Sequence, residues 1–329
     1  MSRVVRFHAT GSPDVLRIED VAIAPPRKDE VRIREKAIGL NRAESMFRSG
    51  QYIEDPKLPA GLGYEAAGEI ESIGEGVEGF AIGDAVSVAP AFSLNAYGLY
   101  GELVLAPAFA VIKHPKSLSF AEAAATWMMY LTAYGALIET AKLFAGDTIL
   151  IPAASSSVGI AAIQLANMVG AIPVALTRSA AKKAKLLELG AADVIVTTEQ
   201  DIVAETLRIT NGRGARVVFD PVGGPTLAKL TPSMTMHGIL VLYGALNAES
   251  TPLPVLDLLA NRLTIQAYVL LDTTRDPARF EASKKFVVHG LATGALKPVI
   301  AKTFPLDQIV EAHRYLESNQ QIGKVVVTV

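Results

Sequence analysis

The 329-residue chain contains no cysteine, which removes disulfides, thiolate metal ligands and a cysteine nucleophile together. It also lacks an excess of either charge. Lys and Arg number 31 against 33 Asp and Glu, so no general attraction to nucleic acid or to an anionic membrane is expected. Its five histidines, at positions 8, 114, 237, 289 and 313, show no metal-ligand spacing. The first residues, MSRVVRFHATGSPDV, lack the apolar core of a secretory leader. A cytoplasmic protein is therefore expected. Charge is missing altogether between Ile149 and Thr177, a stretch longer than the ~20 residues that span a bilayer. Pro152, three serines, Gln164, Asn167, Gly170 and Pro173 interrupt it, so the reading is a buried strand, helix and strand rather than a membrane span.

What is present points to two domains. Half of the residues are apolar, and the length suits two units of roughly 100–200 residues each. The first third alternates short apolar runs with glycines, as in residues 66–90, which predicts a compact barrel-like β domain. Helical character begins near Ser119, where Ser119 and Glu122 fit a capping box. From there strands alternate with helices: TILIPA (148–153), IPVALT (172–177), DVIVT (193–197), RVVFDP (216–221) and ILVLYGA (239–245). That order predicts a doubly wound parallel sheet with right-handed crossovers. A sixth strand, LTIQAYVLL (263–271), is expected at its edge, where it would pair with a second copy to give a homodimer. The last segment, IGKVVVTV, reads as a strand returning to the first domain. The resulting α/β division is residues 1–124 and 266–329 for the first domain and 125–265 for the second.

The turn after TILIPA is AASSSVG. Amide hydrogens and the positive end of the dipole at the following helix make an anion site. A dinucleotide fingerprint has three special positions, here Ala154, Ser156 and Gly159, with Ser155, Ser157 and Val158 between them. Gly159 keeps the place where helix and strand approach most closely, and Ser156 stands where backbone meets a pyrophosphate. Plain packing of small residues is the competing reading. The next strand ends in Thr177, Arg178 and Ser179, with Lys182 following, where an NAD site would carry a carboxylate. Guanidinium, hydroxyl and ammonium groups suit a 2′-phosphate, so NADPH is expected rather than NADH. A solvated basic patch is the alternative.

Taken together, AIGLNRAESMFRSGQY (37–52), LPAGLGYEAAGEIESIGEGVEGFAIGDAV (58–86), LTAY (131–134), AASSSVGIAAIQLA (153–166), TRSAAKKAKLLELGA (177–191), VVFDPVGG (217–224) and GKVVV (323–327) resemble the zinc-free quinone oxidoreductases of the medium-chain dehydrogenase/reductase superfamily. The resemblance runs nearly end to end. It implies a GroES-like catalytic domain joined to a Rossmann NADPH-binding domain. Zinc-dependent relatives carry a cysteine near the place of Asn41 and a histidine at the place of Tyr64, so no metal is implied here. Thr132 and Val158 match residues flanking the nicotinamide, and Tyr243 with Gly244 match the loop over the cofactor. Lys324 matches a basic residue near the pyrophosphate. Asn41 and Tyr52 match polar residues of the acceptor cleft, Asn41 as an oxyanion donor and Tyr52 as a proton donor. A turn residue and a packed loop aromatic are their plainer readings. Glu65 is read as structural, paired with a buried cation. The activity implied is NADPH-dependent, zinc-independent reduction of a small-molecule quinone or activated enone by hydride transfer. The alternatives are an enoyl or alkenal double-bond reductase and a non-catalytic NADPH-binding protein.

Overall fold

A computed structural model describes residues 1–329. The chain forms two units, one of Met1–Met128 with Pro298–Val329 and one of Met129–Lys297. No helix is long and apolar enough to cross a membrane.

The second unit is built on six parallel strands. Their order is Asp193–Val196, Ile172–Thr177, Thr148–Ile151, Ala215–Asp220, Met234–Leu242 and Thr264–Ala267. All five neighbouring pairs are parallel, as the alternating pattern predicts. Leu150, Val174, Leu176, Ile195, Val218 and Leu240 fill one core against the helices. The uncharged run resolves into strand Thr148–Ile151, helix Ser157–Met168 and strand Ile172–Thr177. Its freedom from charge follows from burial on both sheet faces.

Two expectations need adjusting. The second unit does not end at 265. Residues 266–297 stay with it because helix Pro277–Thr293 packs there: Phe286 meets Tyr134 at 5.0 Å, and Gly290 lies against Met168 and Leu296. The edge strand is also shorter than 263–271. Only Thr264–Ala267 is extended, after which Tyr268 turns inward and Leu271–Thr274 is helical.

The first unit is β-rich. A three-stranded sheet joins Arg17–Val21, Ser2–Phe7 and Ala60–Gly61. A seven-stranded sheet centres on Glu30–Gly39, which pairs with Glu65–Ile73, Leu103–Pro107 and Lys324–Thr328, all antiparallel. The C-terminal segment therefore does return to this unit. Ser119 caps helix Phe120–Ala124 through a capping box with Glu122, as its spacing predicts.

Candidate active site

In the second unit, the candidate site lies at the carboxyl ends of the strands, where open parallel sheets bind ligands. Strand Thr148–Ile151 runs into a turn whose Ala153 takes a left-handed backbone, φ +49°. Helix Ser157–Met168 follows. The Ser156 hydroxyl accepts from the Gly159 amide at 3.0 Å, and the Ser156 amide donates to the Ala153 carbonyl at 3.0 Å. The amide of Ala154 donates to the Leu176 carbonyl at 3.2 Å. That leaves the amides of Ser155, Ser157 and Val158 with no protein acceptor, at the positive end of a twelve-residue helix. Three open amides on a helix dipole are what a phosphate needs. Ser156 therefore serves as the helix cap. A side chain on Gly159 would meet Ala154 Cα at 2.7 Å, so the close approach expected there is present.

The next strand brings the cations in. Lys182 Nζ donates to Ser155 Oγ at 3.0 Å, so two regions 27 positions apart meet. Arg178 is exposed beside them. Burial first, and the Arg178 charge second, hold the Lys182 ammonium below its usual range. Thr177 is buried, and its hydroxyl accepts from the Ser179 amide at 3.2 Å. Thr132 is buried in helix Trp127–Ala133.

Further along the strand ends, Asp220 is fully buried. Its carboxylate accepts from the Val222 amide at 2.8 Å and the Gly223 amide at 3.1 Å, while burial still pushes its carboxyl upward. Tyr243 stacks on Phe219 at 3.9 Å with the rings 19° apart. A side chain on Gly244 would meet the Pro221 carbonyl at 2.8 Å. The 243–244 backbone thus rests directly on the Asp220 turn.

In the first unit, strand register assembles a polar network. Gly39 lies opposite both Val326 and Glu65. Two residues further on, Asn41 therefore reaches Lys324. Lys324 Nζ donates to Asn41 Oδ1 at 2.5 Å and to the Glu65 carboxylate. The other Glu65 oxygen accepts from the Met128 amide at 2.9 Å. The Asn41 amide nitrogen donates to the Gly39 carbonyl at 3.1 Å and to Glu44 Oε1 at 3.3 Å. Glu44 also accepts from the Asn41 backbone at 2.7 Å, the Tyr64 backbone at 2.9 Å and the Tyr100 hydroxyl at 2.6 Å. Burial raises the Glu44 carboxyl, and these donors act against that rise.

This geometry revises two assignments. Lys324 is 1 % exposed and neutralises Glu65, so it is not displayed to a pyrophosphate. Asn41 has both amide hydrogens in internal bonds and begins helix Arg42–Ser49, so it works as an internal strut rather than an open donor. Tyr52 remains half-buried, on a loop tied down by Glu54, which accepts from Ser93 and from Asn95 Nδ2. Glu44 was missed by sequence reasoning, although Asn41 followed three residues later by Glu44 is itself a capping-box spacing. Asp220 and Tyr100 carry no comparable local signal.

Two family profiles match the chain: an alcohol dehydrogenase GroES-like domain over residues 27–116 and a zinc-binding dehydrogenase domain over residues 189–327. Quinone oxidoreductase 1 of Escherichia coli is 32% identical over 98% of both chains. The chain belongs to the zinc-free quinone oxidoreductase family. As a member of that medium-chain dehydrogenase/reductase family, it is an oxidoreductase. The solved Escherichia coli quinone oxidoreductase in complex with NADPH superposes with a TM-score of 0.91 at 29% identity, covering 99% of this chain and 100% of that one. A 2-haloacrylate reductase from a Burkholderia species is 30% identical over 98% of this chain and 97% of its own.

Proposed function

We propose that this quinone oxidoreductase family member uses NADPH to reduce a quinone or an activated enone without zinc. The observation that carries the cofactor reading is the open amide trio at Ser155, Ser157 and Val158, with Lys182 drawn onto Ser155. The amides hold the diphosphate. Arg178, Ser179 and Lys182 hold the 2′-phosphate, a group that a carboxylate at this place would repel. Thr132, Val158, Tyr243 and Gly244 line the nicotinamide. Bound there, NADPH would supply a hydride, and the acceptor would take up that hydride together with one proton from Tyr52 or from solvent. Tyr52 donates a hydrogen bond to the acceptor oxygen as negative charge develops there. The NADPH complex of the Escherichia coli relative supports the cofactor.

The donor set argues against zinc. Cysteine is absent, Tyr64 stands at the histidine position, Glu65 is bound to Lys324, and no three His, Asp or Glu side chains converge on a point. Simple alcohols then lack alkoxide stabilisation, whereas electron-poor acceptors do not need it. Similarity to a 2-haloacrylate reductase keeps activated alkenes in the substrate class.

Arg178→Ala combined with Lys182→Ala tests the cofactor site. Each residue supplies a charge-assisted hydrogen bond, so the preference for NADPH over NADH falls on the order of 100-fold by calorimetry. An unchanged preference rejects the site. Turnover is read from the nicotinamide absorbance with a panel of quinones, 2-alkenals and acyl thioesters. Tight NADPH binding without turnover on any of them would leave a binding protein rather than an enzyme.

The protein is also proposed to be a homodimer through the Thr264–Ala267 edge. Helix Val255–Asn261, which follows strand Met234–Leu242, exposes Leu256 by 81% and Leu259 by 71%, a surface that a second copy would cover. Leu256→Glu with Leu259→Glu yields a monomer in sedimentation; a variant that still sediments as a dimer disproves this face.

A further inference from the structure

Helix Trp127–Ala133 does not stop at Ala133. The backbone stays helical there, φ −63° and ψ −41°, and runs on as a wider π-helical turn over Tyr134–Thr140. The Ala141 amide donates to the Ala136 carbonyl at 2.9 Å, five residues back, and Thr140 Oγ1 donates to the Gly135 carbonyl at 2.9 Å. Such wide turns are rare and concentrate at functional sites. A polar relay is packed against this one. Arg279 grips Glu139 Oε2 through Nε at 3.0 Å and Nη2 at 2.8 Å, and Thr273 Oγ1 donates to the same oxygen at 3.0 Å. Tyr268 Oη lies 3.1 Å from Thr273 Oγ1. A carboxylate only accepts, and a threonine hydroxyl carries one hydrogen. Thr273 therefore spends its hydrogen on Glu139, and Tyr268 donates to Thr273. Tyr268 is 5% exposed and Thr273 is fully buried, so little water competes for these bonds. A side chain on Gly135 would overlap both Tyr268 Oη and Thr273 Oγ1, so the two hydroxyls press directly on the backbone of the turn.

Tyr268 has a second attachment. Its backbone amide donates to the Leu242 carbonyl at 2.9 Å, one residue before Tyr243. Through its hydroxyl it therefore holds the helical segment that carries Thr132, and through its amide the strand end that leads into Tyr243 and Gly244. We propose that Tyr268 is a positioning residue that fixes Thr132 and Tyr243 relative to each other and so sets the seat of the nicotinamide between them. This rests on the reading above that Thr132 and Tyr243 line the nicotinamide. The open amides at 155–158 and the cations at 178–182 serve the other end of the dinucleotide and are not members of the relay. Losing the Tyr268 hydroxyl thus loosens one end of the cofactor and spares the other.

The test is Tyr268→Phe in the full chain, which removes the hydroxyl and keeps the ring. The phosphate end is followed by calorimetry with 2′-phospho-ADP-ribose, which lacks the nicotinamide; its affinity stays within about twofold of the native value. The nicotinamide end is followed by the fluorescence lifetime of bound NADPH, which lengthens when the reduced ring is held still. In the variant that lifetime shortens toward the value of free NADPH. A lifetime equal to the native one overturns the inference. A fragment affinity that falls together with the lifetime shows a general loosening of the unit, and overturns the positioning role as well. If Tyr268→Phe does not fold, Thr273→Val cuts the same relay one bond further on: the same shortening is expected, and an unchanged lifetime is again fatal. Failure of the underlying reading looks different. Native protein whose bound NADPH already shows the free lifetime has no nicotinamide seat at Thr132 and Tyr243, and the inference falls with that reading while the phosphate site stands.

Discussion

The two units bury polar groups in opposite ways. The first encloses Glu35, Glu44, Arg48, Glu65, His114, His313 and Lys324. The second encloses, of charged or imidazole groups, only Asp147 and Asp220, both at strand ends. Asp147 is paired with Arg216 and Asp220 with two backbone amides. In the second unit the diphosphate is proposed to rest on main-chain amides above an apolar platform. In the first the buried polar groups are side chains, held largely by one another. A main-chain site tolerates drift in sequence as long as the turn survives, whereas a side-chain network fails when one member changes.

The sharpest way to break this contrast is Lys324→Met. It leaves the Glu65 carboxylate fully buried without its counter-charge, and a loss of about 3–5 kcal/mol is expected in urea unfolding. Adding Glu65→Leu should recover most of that loss, because an apolar pair replaces the ionic one. If Lys324→Met alone costs nothing, the network does not hold the first unit together.

A smaller, pH-dependent effect belongs to His313. It is fully buried, with Arg48 Nη1 at 3.1 Å from its Nδ1 and its Nε2 without a partner. Burial, and then the Arg48 charge, lower its pKa from 6.5 to about 3. The unfolded chain thus takes up this proton first. The contribution of His313 to stability is complete above pH ~6.5 and declines as the pH falls toward ~3, by at most about 1.4 kcal/mol per pH unit. His313→Asn, which keeps an acceptor for Arg48, should flatten the acid limb of a stability-versus-pH curve by one proton. A limb of unchanged slope would show that His313 is already protonated in the folded protein. Glu35 acts with the opposite sign. Neither of its oxygens has a partner, burial raises its carboxyl, and its neutral form is favoured as the pH falls.

The same contrast explains what was legible in the sequence. Strand-helix alternation located every strand of the second unit's sheet, because burial of its inner strands writes itself as local apolar runs. The turn at 153–159 was locatable for the same reason, its spacing being local, and Lys182 meets it at Ser155. Residue 266 was a poor boundary, since helix Pro277–Thr293 is held by contacts with Tyr134 and Met168 far back in the chain. Lys324 was misassigned because its partner Glu65 lies 259 positions away, and only strand register brings the two together. Asn41 was seen, but as a donor to substrate; its two internal acceptors decide otherwise.

Strand Lys324–Thr328, which pairs with Glu30–Gly39 in the first unit's sheet, leaves the ribosome after every element of the second unit. The second unit is whole in sequence once Lys297 is made, and can settle as its own folding unit. The first must wait, with Glu65 and Asn41 lacking their ammonium, until Lys324 has been made. A nascent chain stalled before Lys324 would thus carry every residue of the second unit and a first unit still missing a strand.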